Sequence, residues 1–155
     1  MRALLVGGGR AGLDLTRQLT AEGHAVRFVT RSEDRRVDIE AAGGECWIGD
    51  PDRIGTLRYA LDNVTVLLWL LGRTGPDDGE LHGSRLTMML ERTIDTTVRG
   101  IVYEGTDAGA AEVRRMAAYN EIPYAILDTP RDDETAWVAA VRAAIDTVLA
   151  APRRR

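Results

Sequence analysis

The chain has 155 residues with 20 arginines, no lysine, 24 aspartates and glutamates, a net charge of −4 and a pI near 5.2. This acidic balance argues against a general nucleic-acid binder. No apolar stretch reaches the roughly 18 residues of a membrane span, and the single cysteine, Cys46, excludes an intramolecular disulfide framework and suits a cytoplasmic location. Without lysine, Schiff-base and lysine-ammonium chemistry have no residue to perform them, and the length suits one domain, residues 1–151, followed by a disordered basic tail, 152–155.

An apolar strand, 3–6, runs straight into Gly7, Gly8, Gly9, Arg10, Ala11 and Gly12, a Gly-x-Gly-x-x-Gly turn with an amphipathic helix, about 10–22, behind it. The spacing has a physical cause. Gly7 permits the tight strand-to-helix turn, Gly9 lets the backbone approach a pyrophosphate, and Gly12 lets helix and strand pack closely. The helix start offers free N–H groups and partial positive charge to phosphates. Gly23 ends this helix, and a second strand follows at 25–30.

A short helix at 32–42 is expected behind a Ser32 cap, then a strand at 45–48 containing Cys46, read as a buried inert thiol. Asp50 and Pro51 suit the start of a third helix ending near residue 61. Further strands are expected at 65–70, 100–104 and 124–127, with helices at about 80–97, 108–121 and 132–150. Six strands alternating with six helices predict a doubly wound, six-stranded parallel Rossmann sheet in the order 3-2-1-4-5-6, in three αβα layers. Ligands of such sheets bind outside the carboxyl ends of the strands, at the switch between the first and fourth.

At the end of the second strand, where NAD-binding domains place a carboxylate for the ribose, the chain reads Thr30-Arg31-Ser32. A guanidinium there pairs with a 2′-phosphate, and Arg10 adds a second positive charge, so NADP is favoured. Glu33 or Asp34 swinging back to the ribose would instead favour NAD. His24 reads as a turn residue and His82 as part of a polar loop or helix start. Arg35 and Arg36 read as exposed helix residues, either able to fold over the adenine end.

The segments LLVGGGRAG (4–12), EGHAVRFVTR (22–31), GDPDRIGTLRYAL (49–61), VTVLLWLLG (64–72) and IPYAILDTP (122–130) together resemble the atypical or extended short-chain dehydrogenase/reductase superfamily, in particular its epimerase/dehydratase-like, NAD(P)H-binding group. The resemblance implies that Gly7, Gly9 and Gly12 face the pyrophosphate, Arg31 the 2′-phosphate, Asp50 the adenine amino group, and Leu71 with Gly72 the ribose side. Asp50 serves equally as a helix cap, and Leu71-Gly72 equally as a strand ending at a turn.

The superfamily's Tyr-x-x-x-Lys pattern fails here. Tyr103-Glu104-Gly105-Thr106-Asp107 puts an aspartate in the lysine position, so Tyr103 reads as a sheet residue and no catalytic residue is assigned. Thr106, Glu104 and Arg73 are the polar groups expected nearest the nicotinamide. The loop 72–80 reads as a mobile cover, and the acids Asp77, Asp78 and Glu80, like Asp132, Asp133 and Glu134, read as helix caps rather than a metal site.

The functional expectation is an NADPH-dependent reductase of an unidentified small acceptor. A non-catalytic NADP(H) sensor and a cofactor-free interaction module are the alternatives. A homodimer would use the helices at 80–97 and 108–121.

Overall fold

Runs rich in Val, Leu and Ile, covered on both faces, form six parallel strands: β1 (Arg2–Gly7), β2 (Ala25–Thr30), β3 (Glu45–Ile48), β4 (Val66–Leu70), β5 (Gly100–Glu104) and β6 (Tyr124–Ile126). The structure, a computed structural model, describes residues 1–73 and 76–152, with the backbone alone for 76–78. The strand order is β3-β2-β1-β4-β5-β6, as the alternation of elements predicts. Helices α1 (Gly9–Ala21), α2 (Arg36–Ala41), α3 (Ser84–Thr93), α4 (Asp107–Tyr119) and α5 (Glu134–Ala150) cover the sheet.

Side chains alternate between two cores, as they must along a strand. Leu5, Phe28 and Leu68 pack with Leu15 of α1 and Trp137 of α5 on one face. Leu4, Leu67, Trp69 and Tyr103 pack with Leu86 and Met89 of α3 and Val113 of α4 on the other. The central strand β4 is buried along its whole length. Its register puts Gly7, Leu70 and Glu104 in one row across the carboxyl ends of β1, β4 and β5. The chain reverses direction across the sheet at this row, so a cleft opens there.

Three helix expectations need correction. Residues 51–61 form no α-helix but two 3-10 turns, Ile54–Leu57 and Tyr59–Leu61. Asp50 Oδ1 accepts the Asp52 N–H at 2.9 Å, and Thr56 Oγ1 donates to the Arg53 carbonyl at 2.7 Å. These bonds offer the backbone an alternative to the helix, so Asp50 caps a local turn. From β2, buried Arg27 Nη1 donates to the carbonyls of Ala60 and Asp62 and pins the segment against the sheet.

The expected helix 80–97 divides into a 3-10 segment, Pro76–His82, and α3, with Gly83 between them at φ −116, ψ −109. α3 ends at Thr93, whose hydroxyl donates back to the Leu90 carbonyl at 2.6 Å. The expected helix 32–42 begins as a 3-10 turn, Glu33–Arg35, capped by Ser32 Oγ accepting the Asp34 N–H, and becomes α2 at Arg36. Five α-helices, not six, are therefore present among the described residues.

Residues 74 and 75 of the expected cover loop, the side chains of Asp77 and Asp78, and tail residues 153–155 lie outside the described residues. Among the described residues, no helix is long and apolar enough to cross a membrane.

Candidate functional site

Three consecutive glycines, Gly7, Gly8 and Gly9, take the left-handed backbone with φ of +92°, +91° and +55°. A side chain on Gly7 would overlap the Leu70 carbonyl, and one on Gly12 would crowd Phe28 and Leu5. Those two glycines let β1, β4 and α1 pack. A Cβ on Gly9 would meet nothing within 4 Å, because it would point into open space over the turn. The first bond of α1 runs from the Gly12 N–H to the Gly8 carbonyl at 2.9 Å, so the N–H groups of Gly9, Arg10 and Ala11 have no partner within the helix. No acidic side chain lies in this first turn to compete for them.

Two clefts meet at this turn. One, of about 230 Å³, is lined by Gly7, Gly8, Gly9, Arg10 and Ala11, and by Leu71, Arg73, Arg131 and Glu134. The other, of about 290 Å³, lies beside the end of β2 and is lined by Gly7, Thr30, Arg31, Arg35, Gly49 and Leu71. Five arginines thus border the glycine turn of a chain whose net charge is −4. Against the one acidic lining residue among the described residues, Glu134, this excess of arginine focuses positive potential where an anionic ligand would enter.

Around the second cleft, Arg31 is exposed with its side chain unengaged among the described residues. Arg35 was the less obvious candidate: its guanidinium lies over the Phe28 ring at 5.3 Å and reaches the Gly9 carbonyl at 3.5 Å. Glu33, the alternative ribose carboxylate, is held by two bonds from Arg36, at 2.7 and 3.0 Å. That pairing holds its carboxyl below the usual range. The Thr30 hydroxyl is engaged with the Ser32 backbone. Asp50 does not line either cleft, and neither do Gly12 and Gly72.

Gly72 and Glu104, both named from the sequence, are bonded to one another. The Gly72 N–H donates to Glu104 Oε1 at 3.1 Å, and a Cβ on Gly72 would come within 2.6 Å of that carboxylate. Glu104 is 7% exposed; it pairs with Arg131 and accepts the Trp137 indole N–H at 2.6 Å. Its carboxylate is therefore engaged by three structural partners, Arg131, Trp137 and Gly72. Thr106 caps α4 by accepting the Gly109 N–H. Arg73 lines the first cleft and donates to the Arg131 carbonyl at 3.0 Å.

Tyr103 is a sheet residue with no exposure, as the sequence suggests, but it has a polar partner that the sequence does not reveal. Its hydroxyl lies 2.7 Å from His82 Nδ1 and accepts the Thr106 N–H at 3.1 Å, while His82 Nε2 lies 3.1 Å from the Leu71 carbonyl. A carbonyl only accepts, so Nε2 donates to Leu71, and in the neutral imidazole Nδ1 then accepts from the tyrosine. Of the two placements expected for His82, the structure has the helix start rather than the polar loop: it is 7% exposed at the end of the 3-10 segment that leads into α3. Gly105 and Gly109 are glycines where a Cβ would strike this pair. Burial pushes the Tyr103 phenol above its ordinary value, so it holds its proton at neutral pH. Tyr103→Phe removes the hydroxyl from His82 Nδ1 and from the Thr106 N–H, and thermal unfolding should show a loss of about 1–3 kcal/mol.

No protein-family model matches the chain. The 4-hydroxy-2-methyl-3-oxo-4-farnesyl-3,4-dihydroquinoline-1-oxide ketoreductase of Stigmatella aurantiaca is 27% identical over 127 residues, covering 78% of this chain and 38% of that protein. Among solved structures, the triphenylmethane reductase of Citrobacter sp., complexed with NADP(H), matches with a TM-score of 0.63 and 18% identity over 81% of this chain and 48% of its own. An NADPH-dependent quinone oxidoreductase of Escherichia coli matches with a TM-score of 0.61 and 17% identity over 94% of this chain and 53% of its own.

A short-chain dehydrogenase/reductase superfamily protein of Agrobacterium tumefaciens with bound NAD (TM-score 0.65) and the UDP-glucose 4-epimerase of Thermotoga maritima (TM-score 0.68) share the same fold, in agreement with the resemblance carried by the glycine turn and strand ends. The chain spans about half the length of these solved structures and 38% of the curated ketoreductase.

Proposed function

We propose that this chain binds NADP(H) across the two clefts and acts as the dinucleotide-binding part of a reductase. The observation that carries this reading is the left-handed triple-glycine turn, which presents the free N–H groups of α1 between two arginine-lined clefts. The donor set fits such a group: unpaired N–H groups and Arg10 for a diphosphate, with Arg31 and Arg35 for a 2′-phosphate. Gly9 offers the open approach that a diphosphate requires.

When bound, the dinucleotide would supply a hydride. The chain's own residues would hold it, with Leu71 bordering both clefts and its carbonyl fixed by His82. Hydride delivery to an electron-accepting acceptor needs orientation and exclusion of water more than a side-chain acid, which suits a site without a Tyr-Lys dyad. The lone, half-buried Cys46, whose thiol burial pushes up, suits a cytoplasmic protein.

Calorimetric titration of the ligand-free protein with NADPH, NADH, NADP+ and NAD+ tests the reading. NADPH is expected to bind most tightly, and failure of all four to bind would remove it. The double variant Arg31→Ala/Arg35→Ala should weaken NADPH by about tenfold or more, the cost of lost charge-assisted bonds, while changing NADH little. Equal losses for both would remove the 2′-phosphate assignment.

A second reading, a sensor that binds NADP(H) without turnover, is favoured by one observation. Tyr103 and Glu104, the titratable groups at the end of β5, are both buried and engaged elsewhere. Binding without oxidation of NADPH across a panel of quinones, flavins and dyes would support it.

A further inference from the structure

Arg131 follows β6, outside every segment that pointed to a nucleotide, yet it is the most tightly constrained charge beside the first cleft. Its side chain is 11% exposed. Nε donates to the two Glu104 oxygens at 3.0 and 3.2 Å, Nη2 donates to Glu104 and to the Leu70 carbonyl, and the Trp137 ring lies 4.5 Å from Cζ. Nη1 makes no hydrogen bond among the described residues, and Arg131 lines the cleft. Arg73, tied to the Arg131 carbonyl, lines the same wall.

A guanidinium held through Nε and Nη2 loses little further freedom when the Nη1 N–H groups bind a carboxylate or phosphate oxygen. Glu104 offsets the cost of burying the cation but leaves Nη1 available among the described residues. Three guanidinium groups border the cleft, counting Arg10. Against them stand the exposed Glu134 and, behind Arg131, the engaged Glu104, so the wall remains net positive.

We propose that Arg131 and Arg73 form an oxyanion-binding subsite, distinct from the N-terminus of α1. Its ligand is a phosphate or carboxylate oxygen, from either the dinucleotide's diphosphate or an acid group on a co-bound acceptor. The identity of that occupant rests on the nucleotide reading above; the subsite itself rests on the geometry of Arg131.

The test titrates the full chain with inorganic pyrophosphate, followed by calorimetry and tryptophan emission, since Trp137 is bonded to Glu104 and lies against Arg131. Two variants are compared with the wild type: Arg73→Gln at an exposed position, and Glu104→Gln/Arg131→Met, which removes both buried charges together. Circular dichroism checks that each is folded. Saturable binding is expected in the wild type, weakened about tenfold in both variants, as loss of a charge-assisted bond requires.

Undiminished binding in the folded variants would overturn the proposal, and Arg73→Gln alone decides if the double variant does not fold. The same variants titrated with NADP+ separate the sources. A parallel loss for NADP+ assigns the subsite to the diphosphate. Unchanged NADP+ affinity, with pyrophosphate binding to the NADP+-saturated wild type but not to the variants, assigns it to an acceptor. Arginine-dependent pyrophosphate binding in a protein that takes no dinucleotide would retire the nucleotide reading and leave the subsite standing.

Discussion

Replacing Glu104 with alanine is expected to lower stability by about 3–5 kcal/mol, the usual cost of removing one partner from a buried ion pair. The carboxylate accepts from Arg131, the Trp137 indole and the Gly72 N–H, and its loss removes the acceptor of the fully buried indole and the counter-charge of the largely buried guanidinium. For a chain of this length such a loss lowers the melting temperature by on the order of 10 °C. Glu104→Gln, which keeps an acceptor for the indole and the Gly72 N–H, should recover part of it. Thermal melts followed by circular dichroism and tryptophan emission measure both. A loss below about 1 kcal/mol would mean that water replaces the carboxylate and that the cluster is not the clamp joining β4, β5 and α5.

Gly9→Val should have the opposite profile, with a small effect on folding and a large one on binding. The new Cβ meets no atom within 4 Å, so the cost to the fold is the strain of a branched residue at φ +55°, about 1–3 kcal/mol. The added methyl groups would occupy the space over the free N–H groups of α1, the approach that a diphosphate would use. Loss of one or two charge-assisted bonds there corresponds to roughly a hundredfold in NADPH affinity. Calorimetry on the folded variant gives the answer, and unchanged affinity would place the phosphates elsewhere. Gly7→Ala provides the contrast: its methyl would overlap the Leu70 carbonyl, so its damage should appear in the melt before any ligand is added.

The two glycine variants show why one motif yields two kinds of information. The spacing of Gly7, Gly9 and Gly12 announces a turn and a helix start, and the structure divides the labour among them by what surrounds each Cβ. The strand pattern was equally legible, because both faces of a parallel sheet are covered and its strands read as continuous apolar runs. Helix ends were less so. At Asp50, Thr56 and Thr93, short polar side chains bond nearby backbone groups and redirect a chain whose local propensity still reads as helix.

From the sequence alone follow the six parallel strands, their order, the glycine turn, the arginine at the end of β2 and the absence of a Tyr-x-x-x-Lys pattern. These are local, since each depends on residues within one turn, one strand or one short spacing. The tertiary structure alone decided that Arg35 reaches back to Gly9, that Arg131 and Glu104 pair across 27 residues, and that His82 and Tyr103 pair across 21. Such pairs leave little trace in local pattern, because an arginine after a proline or a histidine before a glycine reads the same on a solvated surface. Only the packing of β4, β5 and α5 brings these groups out of water, where an unpaired charge or hydroxyl is costly and each must find its partner.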